Sequence, residues 1–360
     1  MSFDRLSFPF AAFVDQDPLK LALILNAINP RIGGVLIRGQ KGTGKSTVVR
    51  AVAGLLPEIE VVAGCPFNCN PHDVTNMCAE CRQTFESGED LPTETRKMRV
   101  VTLPLGATED RVVGSLDIEK AIREGIRALQ PGLLAEVNQS ILYVDEINLL
   151  SDHIVDDVLD AAASSWNIVE REAVSVVHPS RFMLIGTMNP EEGELRPQIL
   201  DRLALHIEVT GIFDKDSRIE IIKRNLEFEE HPLEFAKKYE KQQLELRQRI
   251  IRAREVQDDT VVPEVLLDAV ARACVELGVD GHRPDIIIVK AAKALAAFEG
   301  RDKVAPDDIM RVAEMTLSHR TRRGGFEEPA SSTEIHKAFS VAITDSYSAF
   351  GIEEAPFASS

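Results

Sequence analysis

The chain has 360 residues, which is enough for two or three packed units. Its 41 Lys and Arg against 58 Asp and Glu give a net charge of −17, and 44% of its residues are hydrophobic. This composition excludes general disorder and argues against a protein that coats nucleic acid, because phosphate binding needs a clustered basic surface. The sequence shows no membrane span and no signal peptide, so we expect a soluble, cytoplasmic protein.

Strand and helix signals alternate over the first 210 residues. A helix at 19–28 precedes a short apolar strand at 33–39, and a second helix follows a glycine-rich loop. The sequence predicts further buried strands at 98–105, 141–144 and 181–188, an amphipathic helix at 115–129 and a hairpin at 168–177. This alternation indicates an α/β fold with a parallel sheet flanked by helices.

Helical signals replace the strands after about residue 215. We expect a long charged helical stretch at 217–256, two helices within 262–300 and another at 304–317. The predicted domains are a nucleotide-binding core (1–212) with a cysteine-rich insertion (64–95), a helical linker (213–256), a helical lid (257–345) and a loose tail (346–360).

A phosphate-binding loop stands between the first strand and the second helix. The segment GQKGTGKS, Gly39 to Ser46, fits the pattern G-x4-G-K-[ST] in full, in its required context. Its glycines let backbone N–H groups point at phosphate oxygens, Lys45 reaches the β- and γ-phosphates, and Ser46 can ligate Mg²⁺. The predicted nucleotide-binding residues are Gly39, Gly42, Thr43, Gly44, Lys45, Ser46 and Thr47. The competing interpretation is a chance glycine-rich turn.

Acidic and polar residues follow two later strands. Asp145 and Glu146 come directly after the buried run ILYV, at the sheet edge where ligands bind in open parallel sheets. We predict that Asp145 holds the Mg²⁺ of ATP and that Glu146 activates the attacking water. Asn189, after the fourth strand, is expected to position that water, although it also suits a turn before a proline.

A single arginine completes the predicted catalytic set. Arg202, in LRPQILDRLAL, can stabilise the charge on the γ-phosphate in its own chain or in a neighbouring subunit. The alternative is a surface ion pair with Asp201.

Four of the five cysteines fall within 17 positions with the spacing C-x3-C-x8-C-x2-C. The thiolates of Cys65, Cys69, Cys78 and Cys81 can close a tetrahedral shell, so we predict a structural Zn²⁺ site, with His72 as a spare ligand. An Fe–S cluster and reduced or redox-active thiols are the alternatives. Cys274, in an apolar helix, is expected in the core.

These motifs occur in the order seen in AAA+ ATPases. Across residues 5–325 the chain more closely resembles the ATPase (I) subunit of magnesium chelatase, on stretches such as LPLGATEDRVVGSLDIEKAI and QPGLLAEVNQSILYVDEINLL. The resemblance implies an AAA+ core with a helical lid, assembled into hexameric rings. It also implies ATP hydrolysis coupled to insertion of Mg²⁺ into protoporphyrin IX, a step of chlorophyll biosynthesis. The implied partners are a second AAA+ subunit with an integrin-like domain and a large tetrapyrrole-binding catalytic subunit.

The resemblance also implies roles for single residues. Lys45 and Ser46 match Walker A, Asp145 and Glu146 match Walker B, and Asn189 matches sensor 1. Arg202 resembles the arginine finger that acts across a subunit interface. Arg283 resembles the sensor 2 arginine of the lid, although it also suits an ordinary helix start. The stretches 105–117 and 168–177 resemble two hairpins of the family, and both are candidate partner contacts.

The cysteine tetrad departs from the photosynthetic subunits of this family and leaves insertion of cobalt or nickel open. Two other functions compete: a MoxR-type ATPase that remodels protein partners, and a nucleic-acid motor. The nucleic-acid motor is disfavoured because the sequence has no recognisable DNA-binding module, and the basic patch at 320–323 is short and typical of a helix-end charge cluster. Residues 101–210 hold 8 Lys and Arg against 19 Asp and Glu. We expect this acidic segment to face partner subunits.

Overall fold

The computed structural model describes residues 7–116, 129–171, 174–320 and 328–352. The chain divides before Gly44 and after Glu194: the stretch between these points forms one compact unit, and the two flanking stretches together form the other. Five strands make up a parallel sheet with flanking helices, which confirms the predicted α/β class. No helix among the described residues is long and apolar enough to cross a membrane.

Within the described residues the strands and helices are numbered in chain order. The strands are β1 Val35–Gly39, β2 Ile59–Val62, β3 Thr93–Arg96, β4 Val100–Leu103, β5 Gly114–Leu116, β6 Leu129–Pro131, β7 Ile141–Val144, β8 Trp166–Arg171, β9 Val174–Pro179, β10 Met183–Met188 and β11 Leu205–Val209. The α-helices are α1 Asp17–Ile28, α2 Lys45–Ala53, α3 Ala79–Glu86, α4 Glu109–Val113, α5 Leu133–Glu136, α6 Asp152–Ser164, α7 Pro197–Arg202, α8 Lys215–Glu230, α9 Pro232–Val256, α10 Glu264–Glu276, α11 Arg283–Phe298, α12 Pro306–Leu317 and α13 Ser332–Ala349.

The middle unit contains three parallel strands with β7 at their centre. Ile141 pairs with Val100 of β4 on one side and with Met183 of β10 on the other. Every residue of β7 and β10 is buried. Such continuously apolar strands are typical of a sheet covered on both faces. Because the three strands are parallel, their carboxyl ends lie at one edge, and the predicted catalytic residues follow there.

Three antiparallel pairs extend this unit. The hairpin predicted at 168–177 is confirmed as β8 and β9, although residues 172–173 lie outside the described part of the chain. Of the stretch 105–117 expected to carry the other family hairpin, Glu109–Val113 forms helix α4, and β5 pairs with β6, which lies beyond the stretch. Residues 117–128 of the helix predicted at 115–129 lie outside the described residues, and its two ends belong to β5 and β6. The third pair, β2 with β3, encloses the cysteine-rich insertion.

The flanking unit contributes a parallel pair of strands and most of the helices. β1 pairs with β11 from Val35↔Leu205 to Gly39↔Val209. A Cβ on Gly39 would lie 2.3 Å from the carbonyl oxygen of Val209, so this approach of the two strands requires a glycine. The sequence analysis missed β11, because its run LHIEV is short and carries two polar residues.

The charged stretch at 217–256 forms two helices, α8 and α9, which meet at His231. The predicted helices within 262–300 are α10 and α11, and α12 matches the prediction at 304–317. The last helix, α13, starts with a capping box in which Ser331 and Glu334 exchange hydrogen bonds with each other's backbone. It continues into the predicted loose tail as far as Ala349, and 353–360 lie outside the described residues. The predicted domain boundaries at 212 and 256 stay predictions.

Two buried histidines make the stability of the flanking unit depend on pH. The ring of His206 on β11 lies 5.2 Å from the ring of His319. Burial, followed by the charge of Arg38, lowers the pKa of His206 to about 4. An unfolded histidine binds a proton near pH 6.5, so between about pH 6.5 and about pH 4 the unfolded state holds more protons than the folded state.

We therefore expect the free energy of unfolding to fall as the pH drops through this window, with His206 contributing about 3 kcal/mol of the loss. Urea unfolding of the wild type and of His206→Gln between pH 4 and pH 7 measures the effect. The variant should show the shallower pH dependence. Parallel curves for wild type and His206→Gln would contradict the assignment.

Candidate active site

The phosphate loop runs from the end of β1 to the start of α2. Gly42 and Gly44 adopt φ angles of +84° and +80°, a left-handed conformation in which a side chain would be strained. Gly44 caps α2, and its carbonyl accepts the first helical hydrogen bond, from the N–H of Val48 at 3.0 Å. Thr43 Oγ1 donates to the carbonyl of Gln40 at 3.0 Å. The loop therefore has the backbone curl and the helix N-terminus that a bound phosphate needs.

Ser46, on the first turn of α2, joins a cluster of hydroxyl groups around Asp145. Tyr143 Oη lies 2.7 Å from Asp145 Oδ1 and 3.0 Å from Ser46 Oγ. Thr187 Oγ1 donates to the same carboxylate oxygen at 2.7 Å. The structure thus brings together the two residues predicted to hold the Mg²⁺ of ATP, through a tyrosine on the central strand.

The single hydroxyl proton of Tyr143 determines the directions of the hydrogen bonds in this cluster. Burial and the neighbouring carboxylate of Asp145 raise the pKa of Tyr143, so the side chain stays a protonated phenol near neutral pH. A carboxylate accepts more strongly than a hydroxyl, so the phenol proton belongs to Asp145, and Ser46 can donate its own proton to Tyr143. The lone pairs of Ser46 and the second oxygen of Asp145 are then left for a hard cation, which fits Mg²⁺ with its preference for oxygen ligands.

Glu146 follows Asp145 at the carboxyl end of β7 in a left-handed conformation, with φ of 54° and ψ of 55°. For a residue with a side chain this conformation costs on the order of 1 kcal/mol, and such strain concentrates at functional sites. The N–H of Glu146 donates to Thr187 Oγ1 at 3.2 Å. Thr187 therefore contacts both Walker B positions and fixes the backbone from which the Glu146 carboxylate projects.

Asn189 comes directly after β10, the strand next to β7, and is 3% exposed. Its Oδ1 accepts from the N–H of Glu191 at 3.3 Å and caps the short 3-10 turn that follows. The turn role considered from the sequence is therefore present. The amide nitrogen is the end of this side chain that can donate to a water or a phosphate oxygen, so capping and water positioning are compatible.

The two predicted arginines lie in the flanking unit. Arg202 is the last residue of α7, and its backbone carbonyl accepts from Arg283 Nη2 at 2.7 Å. Arg283 is the first residue of α11, which is the ordinary helix start considered from the sequence. Asp201 forms an ion pair with Arg320, a residue more than a hundred positions later in the chain.

The sequence analysis missed Tyr143, Thr187 and Arg320. Tyr143 and Thr187 each place a hydroxyl near the carboxyl end of an otherwise apolar buried strand. A buried hydroxyl needs a hydrogen-bond partner, so a tyrosine or threonine within an otherwise apolar strand indicates a polar contact at that end of the strand. Arg320 opens the short basic patch at 320–323, which was interpreted as a helix-end charge cluster. It is buried, and the rest of that patch lies outside the described residues.

The four clustered cysteines form a separate site in the middle unit. Their Sγ atoms all lie within 4.8 Å of one another, and none of the four forms a disulfide. Cys65 Sγ lies 3.5 Å from Cys69 Sγ, and Cys69 Sγ accepts from the backbone N–H of Cys78 at 3.1 Å. His72 instead lies 2.6 Å from Glu60, so the structure does not support it as a spare ligand. Cys274 is buried in α10, as predicted.

The donor set of this cluster fits a tetrahedral Zn²⁺ ion. Zn–S bonds of about 2.3 Å would place the sulfur atoms about 3.8 Å apart, close to the observed packing. Hydrogen bonds from the Cys69 and Cys78 thiols lower the pKa of Cys65, so this sulfur is the first to become a thiolate. The neighbouring Cys65 thiolate raises the pKa of Cys69, and burial raises that of Cys81. Packing so many sulfur atoms together is favourable when a cation supplies the compensating charge.

The stretch between Cys65 and Cys69 contacts the turn that precedes β7. Asn138, fully buried, donates through Nδ2 to the carbonyls of Phe67 and Asn68 at 2.9 and 3.0 Å. Asn68 donates in return to the carbonyl of Glu136 at 2.8 Å. The ring of Phe67 stacks on that of His178, with centroids 4.6 Å apart. The cysteine cluster is therefore bonded to the amino end of the strand whose carboxyl end carries Asp145.

Comparison with known proteins places these sites in a family. A family model described as magnesium chelatase, subunit ChlI, matches residues 118–198, and an AAA lid domain model matches 267–338. The chain is 58% identical over 327 residues to the magnesium-chelatase subunit ChlI homolog of Methanocaldococcus jannaschii, covering 91% of this chain and 89% of that protein. It is 51% identical to magnesium-chelatase subunit ChlI of Synechocystis, covering 93% and 94%.

Solved structures agree with these matches. A chain in a cryo-EM-based model of the complex between subunits BchI and BchD of magnesium chelatase is 44% identical, with a TM-score of 0.53, and the match covers 93% of this chain and all of that one. A crystal structure of an ATPase-like protein from Cytophaga hutchinsonii, 17% identical with a TM-score of 0.57, supports the fold alone. With a complete phosphate loop and a lid that the AAA model matches, the chain belongs to the ChlI family of AAA+ ATPase subunits of magnesium chelatase.

Proposed function

We propose that this chain hydrolyses ATP to drive insertion of Mg²⁺ into protoporphyrin IX, with a larger partner subunit that binds the tetrapyrrole. The observation that carries the proposal is the hydroxyl cluster linking Ser46 of the phosphate loop to Asp145, in a chain whose relatives are named as magnesium-chelatase subunits. This family favours a chelatase over the MoxR-type remodeller. Insertion of Co²⁺ or Ni²⁺ into a related tetrapyrrole is the second candidate, because the cysteine tetrad distinguishes this chain from photosynthetic subunits.

The chemistry of the nucleotide site follows from its residues. The loop amides and Lys45 hold the phosphates, while Ser46 and Asp145 would hold the Mg²⁺ that accompanies ATP and neutralises phosphate charge. Glu146 orients the attacking water and accepts its proton, and the Asn189 amide fixes the position of that water. The neutral Tyr143 phenol keeps the Asp145 carboxylate oriented toward Ser46. Each of these residues thus positions a reactant or balances a charge.

The site is completed by a second copy of the chain. Arg202 would reach the γ-phosphate held by a neighbouring protomer, and Arg283 would act as the sensor 2 residue of the lid. Head-to-tail contacts of this kind generate rings, so we propose a homo-oligomeric ring, specifically a hexamer. Isolated protomers should therefore hydrolyse ATP poorly.

Two further subunits complete the proposed assembly. One is an AAA+ subunit with an integrin-like domain, supported by the solved complex of BchI with BchD. The other is the large catalytic subunit. The acidic helix α6, with its four aspartates, offers negative charge to these partners. No nucleic acid partner is proposed.

We also propose that the cysteine cluster holds one structural Zn²⁺ ion. Four thiolates leave no open coordination position, so the metal would brace the insertion and take no part in catalysis. The apolar contacts of this lobe are few, and they come from Val62, Met77, Phe67 and Leu91. Four reduced thiols suit a reducing compartment, which supports the predicted cytoplasmic location.

The first test is reconstitution with the cognate partner subunits. The wild type should support ATP-dependent insertion of one of Mg²⁺, Co²⁺ or Ni²⁺ into its porphyrin, measured by absorbance. Lys45→Ala should lower both ATP hydrolysis and insertion by at least about 100-fold, because the γ-phosphate loses its positive partner. Insertion of none of the three metals by an active ATPase would favour the protein remodeller.

A second test addresses the shared site. Arg202→Ala and Glu146→Gln should each be nearly inactive alone. In a random one-to-one mixture, about a quarter of the ring interfaces join an intact Glu146 to an intact Arg202. The mixture should therefore hydrolyse ATP well above the sum of the separate variants. A mixture no more active than its components would contradict a site completed by the neighbouring subunit.

A third test addresses the zinc. Elemental analysis of the purified protein should find about one zinc per chain, and its visible spectrum should lack the bands of an Fe–S cluster. Cys81→Ser should lose the metal and lower the melting temperature, whereas Cys274→Ala, at the one cysteine outside the cluster, should retain it. Protein that folds normally without stoichiometric zinc or iron would remove the proposal.

A further inference from the structure

Three successive backbone carbonyls at the end of α7 accept hydrogen bonds from side chains of distant helices. Arg320, just after α12, donates through Nη1 to the carbonyl of Asp201 at 2.8 Å and through Nη2 to that of Leu203 at 3.4 Å. Arg283 donates to the carbonyl between them, that of Arg202, at 2.7 Å. The residue predicted to act as the arginine finger therefore stands in the middle of a backbone segment held by two arginines of the C-terminal helices.

Arg320 is the more firmly held of the two. It is 2% exposed, compared with a half-buried Arg283. Its Nε donates to the carbonyl of Thr316 within α12 at 2.9 Å, and its guanidinium forms an ion pair with the Asp201 carboxylate. A buried guanidinium is stable only when its donors are satisfied. These bonds therefore connect the Arg320 guanidinium to the Thr316 carbonyl in α12 and to Asp201 in the last turn of α7.

His319 adds a further contact to the same segment. Its Nε2 lies 3.1 Å from the carbonyl of Leu203, and since a carbonyl only accepts, the ring carries its proton on Nε2. Burial lowers the pKa of His319 well below the ordinary range, so the ring is neutral and adds no charge beside Arg320. Arg320 thus supplies the positive charge that faces Asp201.

We propose that Arg320 is a positioning residue that aims Arg202 at the nucleotide of the neighbouring protomer. This inference rests on the proposed role of Arg202 as a finger acting across the interface. The last carbonyls of a helix have no partner within the helix, and a six-residue helix has few bonds of its own to resist fraying. Without Arg320, the last turn of α7 loses two carbonyl contacts and one ion pair, and the bonds from Arg283 and His319 alone hold the backbone around Arg202.

The expected effect on the rate of ATP hydrolysis is large, because an arginine finger works only when its guanidinium is placed accurately at the γ-phosphate. A misplacement of about 1 Å can cost about 100-fold in rate. Arg320→Met keeps the length and apolar stem of the side chain but removes every donor. We expect kcat for ATP hydrolysis to fall about 10- to 100-fold while the KM for ATP moves less than about 3-fold, because nucleotide binding on the variant's own loop is intact.

Mixed rings separate this role from a general loss of structure. Arg320→Met combined one-to-one with Glu146→Gln should recover activity. The Glu146→Gln protomer supplies a correctly placed Arg202 to a neighbouring Arg320→Met protomer, which retains Glu146. Arg320→Met combined with Arg202→Ala should recover none, since neither chain supplies an aimed finger. The Arg202→Ala and Glu146→Gln mixture is measured beside them as the reference for the shared site.

Control variants address folding. Arg301→Met removes another ion pair of these helices, in which Arg301 donates to Asp308 at 2.6 and 2.7 Å. It should lower the melting temperature but change kcat less than about 2-fold. If Arg320→Met does not fold, Asp201→Asn takes its place, because it removes only the ion pair and should show the same mixing pattern with a smaller loss. Arg320→Lys, which keeps the charge without the planar fork, should restore part of the rate.

Two results would overturn the inference. In the first, the Arg202→Ala and Glu146→Gln pair recovers activity but Arg320→Met with Glu146→Gln does not; the shared site then stands and Arg320 has only a structural role. In the second, Arg320→Met recovers activity with Arg202→Ala, which would place its defect on the nucleotide side. If the reference pair itself fails to recover, the finger across the interface fails, and the positioning role fails with it.

Discussion

The carboxylate of Asp145 sets the main constraint on the middle unit. Asp145 is an exposed residue at the end of a fully buried strand, and one of its carboxylate oxygens accepts hydrogen bonds from buried hydroxyl groups of two neighbouring strands. The hydroxyls of Tyr143 and Thr187 satisfy one oxygen, and Ser46 is linked to the same group through the phenol. Because Thr187 also accepts the N–H of Glu146, the same contacts hold the backbone of the proposed catalytic carboxylate. The proposed Mg²⁺ ligand and the proposed base therefore share one small network of hydroxyl groups.

The strands that carry this network are held at their other ends by the cysteine lobe. Asn138, one turn before β7, is bonded to the stretch between Cys65 and Cys69, and Arg181, just before β10, pairs with Asp73 of the same lobe at 2.8 Å. The lobe has little apolar surface of its own, so its rigidity depends on what holds the four sulfur atoms together. A zinc ion there would stiffen the amino ends of the two strands whose carboxyl ends carry Glu146 and Asn189.

The sequence predicted what depends on local pattern and missed what depends on contacts between distant segments. The phosphate loop, Asp145 and the four cysteines could be read from spacing alone, because each motif carries its geometry within a few residues. β11 was missed because a parallel strand is stabilised by its partner β1, and its own alternation is weak. Arg320 was misread because its partners lie about 120 residues earlier in the chain, and no local pattern indicates that pairing.

The end of α7 shows why such distant pairing matters for a motor. An arginine that acts on another protomer cannot be oriented by the nucleotide bound to its own chain. Its orientation must instead be fixed by contacts within its own unit. Two arginines and a histidine, one at the start of α11 and two just after α12, bond the three consecutive carbonyls around Arg202, and the positive charges of the arginines match the negative end of a helix. Any shift of these helices is then transmitted to the backbone of Arg202 through hydrogen bonds rather than through loose packing. In a ring, this arrangement would let the conformation of one protomer set the hydrolysis rate of the next.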